Sequence, residues 1–162
     1  METVAVYWES RIKTYGFQRV TDVGLFEFSC PLTDIVSLGK ILSQESLRTL
    51  KPPFIMAQES DHEITFIVCL RGNETRGFHE FLERTPGPTL QRYLFPVGII
   101  FFHGPHFGDR YGIADATLTA LSKAHIKVIA SGCSSSSVYV VLSQDDLDRA
   151  EGVLSKPFQV AQ

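Results

Sequence analysis

The order of strands and helices predicted from hydrophobic periodicity is the same in both halves of the chain. In the first half, a strand at 20–30 is followed by a helix over 32–50, two short strands and a helix over 74–85. The second half repeats this order from a strand at 96–103 to a helix that ends near Pro157. Such an order, closed by a further strand, is typical of the ferredoxin-like split βαβ motif. We therefore expect an α+β fold of two ferredoxin-like βαββαβ units in tandem, with antiparallel sheets and helices on one face.

Spacing and breaks in the sequence also predict where the units begin and end. Strands at 90–95 and 157–161 are the candidates for closing the two units, and proline-rich stretches end the helices of the first half. We expect an N-terminal extension or strand at 1–16, a first unit at 17–95 and a second unit at 96–162. The segment TVAVYW near the N-terminus is predicted to be either an added edge strand or a swapped arm.

Charge, hydropathy and cysteine spacing exclude several classes of protein. The net charge is −3 without a basic block, which argues against a nucleic-acid partner. The longest apolar run, Val97–Phe102, is too short to span a membrane, and the N-terminus lacks the order of a signal peptide. Cys30, Cys69 and Cys133 are scattered without metal-ligand spacing, which favours buried thiols in a reducing compartment. We expect a cytoplasmic protein that needs no cofactor.

The stretch FFHGPHFGDRYGIADA, residues 101–116, joins a predicted strand to a predicted helix in the second unit. Its three glycines, Gly104, Gly108 and Gly112, allow a tight turn and the close approach of a ligand to the backbone. Unpaired N–H groups at the start of the helix favour an anion such as a carboxylate, and Asp109 is suited to an ammonium group. The stretch therefore predicts a binding loop for an α-amino acid, with a simple turn in which Asp109 caps the helix as the alternative.

Other chemistries fit the sequence less well. The glycine spacing matches neither phosphate-binding motif, and His103 and His106 lack an evident third metal ligand. Cys133 and the serines beside it have no visible base, so SGCSSSS is interpreted as a hairpin turn. Ser143 is predicted to cap the last helix, with Asp146 three residues later as in a capping box.

Residues 97–155 resemble the ACT domain found in tandem at the C-terminus of aspartokinases. Gly104 matches the first glycine of the family's loop, and Gly112 with Ile113 matches the Gly-Val pair that opens its helix. The later matches lie in the first helix, the second strand and the last helix: Leu121, Ala124, Ile126, Val128, Val140, Val141, Asp146, Leu147 and Ala150. Over 17–85 the resemblance is mainly one of element order.

The resemblance implies a non-catalytic regulatory protein that binds amino acids where paired ACT units meet. The kinase catalytic domain is absent from the sequence, so the chain itself is not expected to be an enzyme. The implied pairing is a homodimer, and the implied partner is an enzyme of amino-acid metabolism. The implied ligand shell is a loop, opposed by a strand of the facing unit: Pro105, His106, Phe107, Gly108, Asp109, Tyr111, Gly112 and Ile113, with Lys127, Val128 and Ile129.

Some residues depart from the family pattern and keep two further functions open. His106 and Phe107 replace the loop's second glycine and methionine, Lys127 replaces an asparagine, and the acidic hairpin position is a serine near Ser135. One alternative is an assembly module whose ACT units pair chains without a ligand. The other is a metal-dependent sensor built on His103 and His106, with Cys133 as a further candidate ligand.

Overall fold

A computed structural model describes residues 11–43, 49–105, 107–108, 110–134 and 136–160. The predicted N-terminal strand TVAVYW, together with His106, Asp109 and Ser135, lies outside the described residues. Within them, the chain forms strands and helices in this order: β1 Ile12–Thr14, β2 Phe17–Pro31, α1 Ile35–Leu42, β3 Phe54–Ser60, β4 Glu63–Arg71, α2 Gly72–Arg84, β5 Thr89–His103, α3 Ile113–Lys123, β6 Val128–Cys133, β7 Ser137–Ser143, α4 Leu147–Leu154 and β8 Phe158–Val160.

The chain divides into two compact units whose boundaries fall inside β2 and β5. The central unit is Thr21–Val97, and the terminal unit joins the described residues up to Val20 with those from Gly98 onward. This division differs from the consecutive segments expected from the sequence. The difference arises because β1 pairs in parallel with β8, from Ile12 opposite Phe158 onward, so both ends of the described chain belong to one unit.

The central unit has the strand order β3-β4-β2-β5. β4 is antiparallel to both β2 and β3, and Gln91 and Arg92 of β5 contact Ser29 and Glu27 of β2. With α1 after its first strand and α2 after its third, this unit has the predicted ferredoxin-like order of strands and helices.

One core cluster holds the central unit together. Its buried side chains alternate along β2 and β4, and α2 adds Phe78 and Leu82. The rings of Phe26 and Phe78 meet edge to face, with centroids 5.1 Å apart. Helix α1 ends at Leu42, so it is shorter than the helix predicted over 32–50, and residues 32–34 form a single 3₁₀ turn.

The terminal unit has the order β6-β7-β5, with β2 on the other side of β5. Phe17 at the start of β2 packs against Phe102 of β5, with ring centroids 5.1 Å apart. The predicted closing strand exists as β8, but it pairs with β1 and not with β5. In this unit, β2 therefore takes the place beside β5 that a closing strand has in a ferredoxin-like unit.

Helices α3 and α4 cover the core of the terminal unit and are tied to each other by one arginine. The buried side chains of the two helices include Leu121 on α3 and Leu154 on α4. Arg149 of α4 donates to the carbonyl oxygen of Ala124, just after α3, at 2.5 Å and binds Asp146 at 2.9 Å. The acceptor carbonyl lies at a helix C-terminus, where a cation is favourable.

Two local predictions for the end of the chain have different outcomes. Ser143 makes no capping hydrogen bond, and a 3₁₀ turn over Gln144–Asp146 precedes α4, so the predicted capping box is wrong. The serine-rich hairpin turn is confirmed: the N–H group of Ser134 donates to the oxygen of Ser137 at 2.9 Å. The longest helix among the described residues, α2, has 13 residues, and none of the described helices could span a bilayer.

Candidate functional site

The predicted binding loop, residues 104–112, joins the end of β5 to the start of α3. Pro105 is half-buried, whereas Gly108 is exposed and Tyr111 has 94 % of its surface exposed. The described part of the loop therefore presents backbone and one aromatic ring to solvent.

Gly112 is the N-cap residue of α3 and adopts a left-handed conformation with φ of +84°. A Cβ atom at this position would meet no atom within 4 Å, so the backbone angle, and not crowding, favours glycine. The first α3 hydrogen bond runs from the N–H group of Ala116 to Gly112 oxygen at 2.9 Å. Asp109 lies outside the described residues, so the alternative in which it caps the helix stays a prediction. Glycine has no side chain to bond the N–H groups of the first turn.

Phe107 and Ile113 support the loop from the inside. Their side chains are 8 % and 6 % exposed and belong to the core cluster of the terminal unit. The ring of Phe107 meets that of Phe102 edge to face, with centroids 5.9 Å apart. Of the residues in the implied ligand shell, these two therefore offer a ligand their backbone groups and not their side chains.

Gly104 lies under β1, a contact that the sequence analysis missed. A Cβ atom on Gly104 would overlap the carbonyl oxygen of Lys13 and would lie 2.5 Å from Cε1 of Phe107. The close approach predicted for this glycine is thus filled by the chain's own backbone. The glycine itself was the signal for a close approach, but nothing local identifies Lys13 as the neighbour.

Lys127, Val128 and Ile129 lie at the start of β6, away from the loop. Lys127 is exposed, the other two are half-buried, and β6 is the last strand in the order of its sheet. The loop precedes α3 and Lys127 follows it, so about 16 Å of helix separates them in one unit. A single unit therefore does not bring the two halves of the implied site together.

Helix α3 borders a cavity and a groove. A cavity of about 480 Å³ lies beside Lys127 and is lined by Leu118, Ser122, His125, Ile126, Lys127 and Val128. A second groove, of about 600 Å³, lies between α3 and the end of α4, and Ala116, Ala120, Lys123, Val153 and Lys156 are among the residues that line it. The two alanines are half-buried.

The histidines and cysteines among the described residues were the candidates for a metal site or a reactive thiol. Within this part of the chain, no three His, Cys, Asp or Glu side chains are grouped to hold a metal ion. The ring of His103 lies 5.3 Å from that of Tyr15. Cys30 and Cys69 are buried as expected, and burial raises the pKa of the Cys69 thiol to about 12. Cys133 is exposed, so the expectation of three buried thiols is wrong for this residue.

Comparison with solved structures identifies the fold. No protein-family model matches the sequence, and no well-characterised protein matches it by sequence comparison. The ligand-free regulatory subunit of aspartate kinase from Thermus thermophilus matches with a TM-score of 0.75 and 11 % identity, over 90 % of this chain and 99 % of that one. A structure of aspartokinase alpha and beta subunits matches with a TM-score of 0.73 and 14 % identity, over 89 % and 97 %. The fold is that of an aspartokinase regulatory domain.

The aspartokinase-type regulatory fold confirms the fold class predicted from the ACT resemblance. Aspartate kinase from Synechocystis also contains it, with a TM-score of 0.75 and 16 % identity, and the match covers 88 % of this chain but 26 % of that enzyme. Three matched structures that this chain covers almost completely are two regulatory subunits of aspartate kinase and a putative C-terminal regulatory domain of that enzyme. This chain therefore shares its fold with aspartokinase regulatory subunits.

Proposed function

We propose that this chain is a regulatory protein of the tandem-ACT type that binds an amino acid or a similar small ligand at the 104–112 loop. The aspartokinase-type regulatory fold carries this proposal. The α-carboxylate is received by N–H groups at the start of α3, and Asp109 receives the ammonium group. The left-handed Gly112 supports this assignment, because an N-cap without a side chain leaves room for an anion at the helix start.

The second half of the site comes from another copy of the chain. Lys127 and the cavity beside it lie at the far end of α3 from the loop, so the loop of one protomer is closed by Lys127, Val128 and Ile129 of its partner. Ligand binding then favours one arrangement of the homodimer, and only a difference in affinity between arrangements transmits a signal. An enzyme of amino-acid metabolism is the expected receiver of that signal in the cytoplasm.

A thermal-shift screen of the twenty amino acids tests the binding proposal. A ligand at about 100 times its Kd adds roughly 2.7 kcal/mol to stability, which raises Tm by roughly 5–11 °C for a chain of this size. The Asp109→Ala variant should lose the shift, whereas Glu59→Ala, which removes an exposed carboxylate of β3, should keep it. Flat traces for all twenty amino acids would leave the assembly module as the better account.

Mixing two variants tests whether the site is shared between protomers. Asp109→Ala and Lys127→Ala should each abolish binding in homodimers. After the two variants are mixed and re-equilibrated, half of the dimers are mixed, and each has one intact site, so about a quarter of the wild-type binding capacity should return. If both halves belonged to one protomer, titration calorimetry of the mixture would detect no binding.

A further inference from the structure

Thr14 of β1 and the next residue, Tyr15, bind the last residue of β5, where the loop begins. The carbonyl oxygen of His103, the last residue of β5, accepts a hydrogen bond from Thr14 Oγ1 at 2.8 Å. The N–H group of Tyr15 donates to the same oxygen at 2.9 Å. Both acceptor positions of this carbonyl group are therefore used, and the next residue, Gly104, lies under the backbone of Lys13.

Burial and hydrogen bonds fix the position of the Thr14 side chain. Its surface is fully buried, and its hydroxyl oxygen also accepts a hydrogen bond from the N–H group of Gly16 at 3.3 Å. A buried hydroxyl group with one donor and one acceptor contact orients both of its neighbours. Here these neighbours are the turn that follows β1 and the last carbonyl group before the loop.

β1 is fixed at its other end to the segment between α4 and β8. The N–H group of Ile12 donates to the oxygen of Pro157 at 2.9 Å. The guanidinium group of Arg11 binds the carbonyl oxygens of Ser155 and Lys156, at 2.5 and 3.0 Å. β1 thus connects the end of α4 with the start of the loop through contacts at both of its ends.

We propose that Thr14 is a positioning residue for the ligand loop, and that the attachment of β1 and the occupancy of the loop strengthen each other. This inference rests on the proposed function, because it assigns a regulator to the same site. Thr14 limits the directions in which the loop leaves His103. The apparent affinity for the ligand falls when a smaller fraction of chains is in the binding-competent arrangement. By linkage, a ligand that selects this arrangement also stabilises the contact between Tyr15 and His103.

Amide hydrogen exchange in the ligand-free protein tests the attachment itself. Thr14→Val keeps the volume and removes the hydroxyl group, and exchange at Tyr15 and over 104–112 should accelerate roughly 3- to 10-fold. Thr14→Ser should restore the wild-type rates. Thr75→Val is the matched control, because Thr75 is also buried and donates to a backbone oxygen, that of Gly72, at 2.7 Å within the central unit. Unchanged loop exchange in Thr14→Val would overturn the proposal.

The binding measurement uses the amino acid with the largest shift in the screen. Its Kd should rise roughly 3- to 10-fold in Thr14→Val, recover in Thr14→Ser and stay unchanged in Thr75→Val. Saturation of the wild-type protein with this amino acid should slow exchange at Tyr15. Faster loop exchange with an unchanged Kd would make Thr14 a purely structural residue and overturn its positioning role. A flat screen would overturn the proposed function, and the coupling with it, whatever the exchange data show.

Discussion

The carbonyl oxygen of Lys13 occupies the place that a Cβ atom on Gly104 would need. The obstacle is backbone, and β1 is held on both sides of Lys13, so a side chain at 104 displaces either β1 or the loop. We expect Gly104→Ala to lower the free energy of unfolding by about 2–3 kcal/mol, as overpacking in a well-packed region does. Urea denaturation followed by circular dichroism measures this loss.

Gly98→Ala is the comparison for that variant. A Cβ atom at 98 would lie 2.6 Å from Cδ1 of Leu147, which is a side-chain atom and is free to rotate in part. We expect a smaller loss than for Gly104→Ala. Equal losses would mean that the backbone of Lys13 gives way as easily as a leucine side chain.

Gly112 and Gly152 form a matched pair for testing backbone conformation. Neither would bring a new Cβ atom within 4 Å of another atom, but only Gly112 has a positive φ. Gly112→Ala should therefore destabilise the protein by about 1 kcal/mol, and Gly152→Ala, in the interior of α4, should stabilise it by about 0.5–1 kcal/mol. Thermal melts of both variants show whether each substitution raises or lowers stability. A rise in stability for Gly112→Ala would show that the left-handed backbone angle is not retained.

His125, two residues after the last residue of α3, has a backbone conformation that glycine adopts more easily. Its φ is +54°, its N–H group donates to Ser122 oxygen at 2.9 Å, and the N–H group of Ile126 reaches Leu121 oxygen at 3.0 Å. These two hydrogen bonds are those of a Schellman motif. His125→Gly should raise the free energy of unfolding by about 0.5–1 kcal/mol in urea denaturation. His125→Ala keeps the strained angle and should give no gain.

The buried thiol of Cys69 makes stability depend on pH in the alkaline range. Because burial raises its pKa from 9.0 to about 12, the unfolded chain loses this proton at a lower pH than the folded chain. The buried thiol's contribution to the free energy of unfolding is fully present at pH values below the pKa of the unfolded chain. Between the two pKa values, the free energy of unfolding falls by about 1.4 kcal/mol per pH unit.

Cys69→Ala should remove this part of the slope in urea denaturation at about pH 8.5, 9.5 and 10.5. Val68→Ala is the control, since it shortens a buried side chain on the same strand without removing a titrating group. It should lower stability at every pH and leave the slope as in the wild type. A wild-type slope in Cys69→Ala would place the thiol's folded pKa near its unfolded one.

Local periodicity predicted the elements whose packing follows from their own sequence. The helix predicted after the stretch 101–116 is α3, Ile113–Lys123, because a repeating apolar face needs only one neighbouring sheet to bury it. β5 is a single strand of 15 residues that contains Pro96, although separate strands were expected at 90–95 and 96–103. A proline is a local signal, and the pairing on both sides of β5 is not visible in the local sequence.

The candidate site shows the same division between local and distant contacts. Gly112 was one of three glycines expected to allow a tight turn, and it adopts a left-handed conformation at the start of α3. The burial of Phe107 was not predicted, because a residue in a loop belongs to no repeating apolar pattern that would show which side faces the core. The hydrogen bond from Thr14 to His103 joins residues 89 positions apart, and no pattern in a single sequence connects them.

The placement of both chain ends in one unit sets an order of events during synthesis. The ribosome releases Thr21–Val97 as one continuous stretch, so the central unit has all of its strands before α3 is made. Arg11 must wait for Lys156, its partner 145 positions later. β1 gains its contacts with Ser155, Lys156 and Pro157 only after α4 has been made, so its attachment beside the loop is completed later than the central unit.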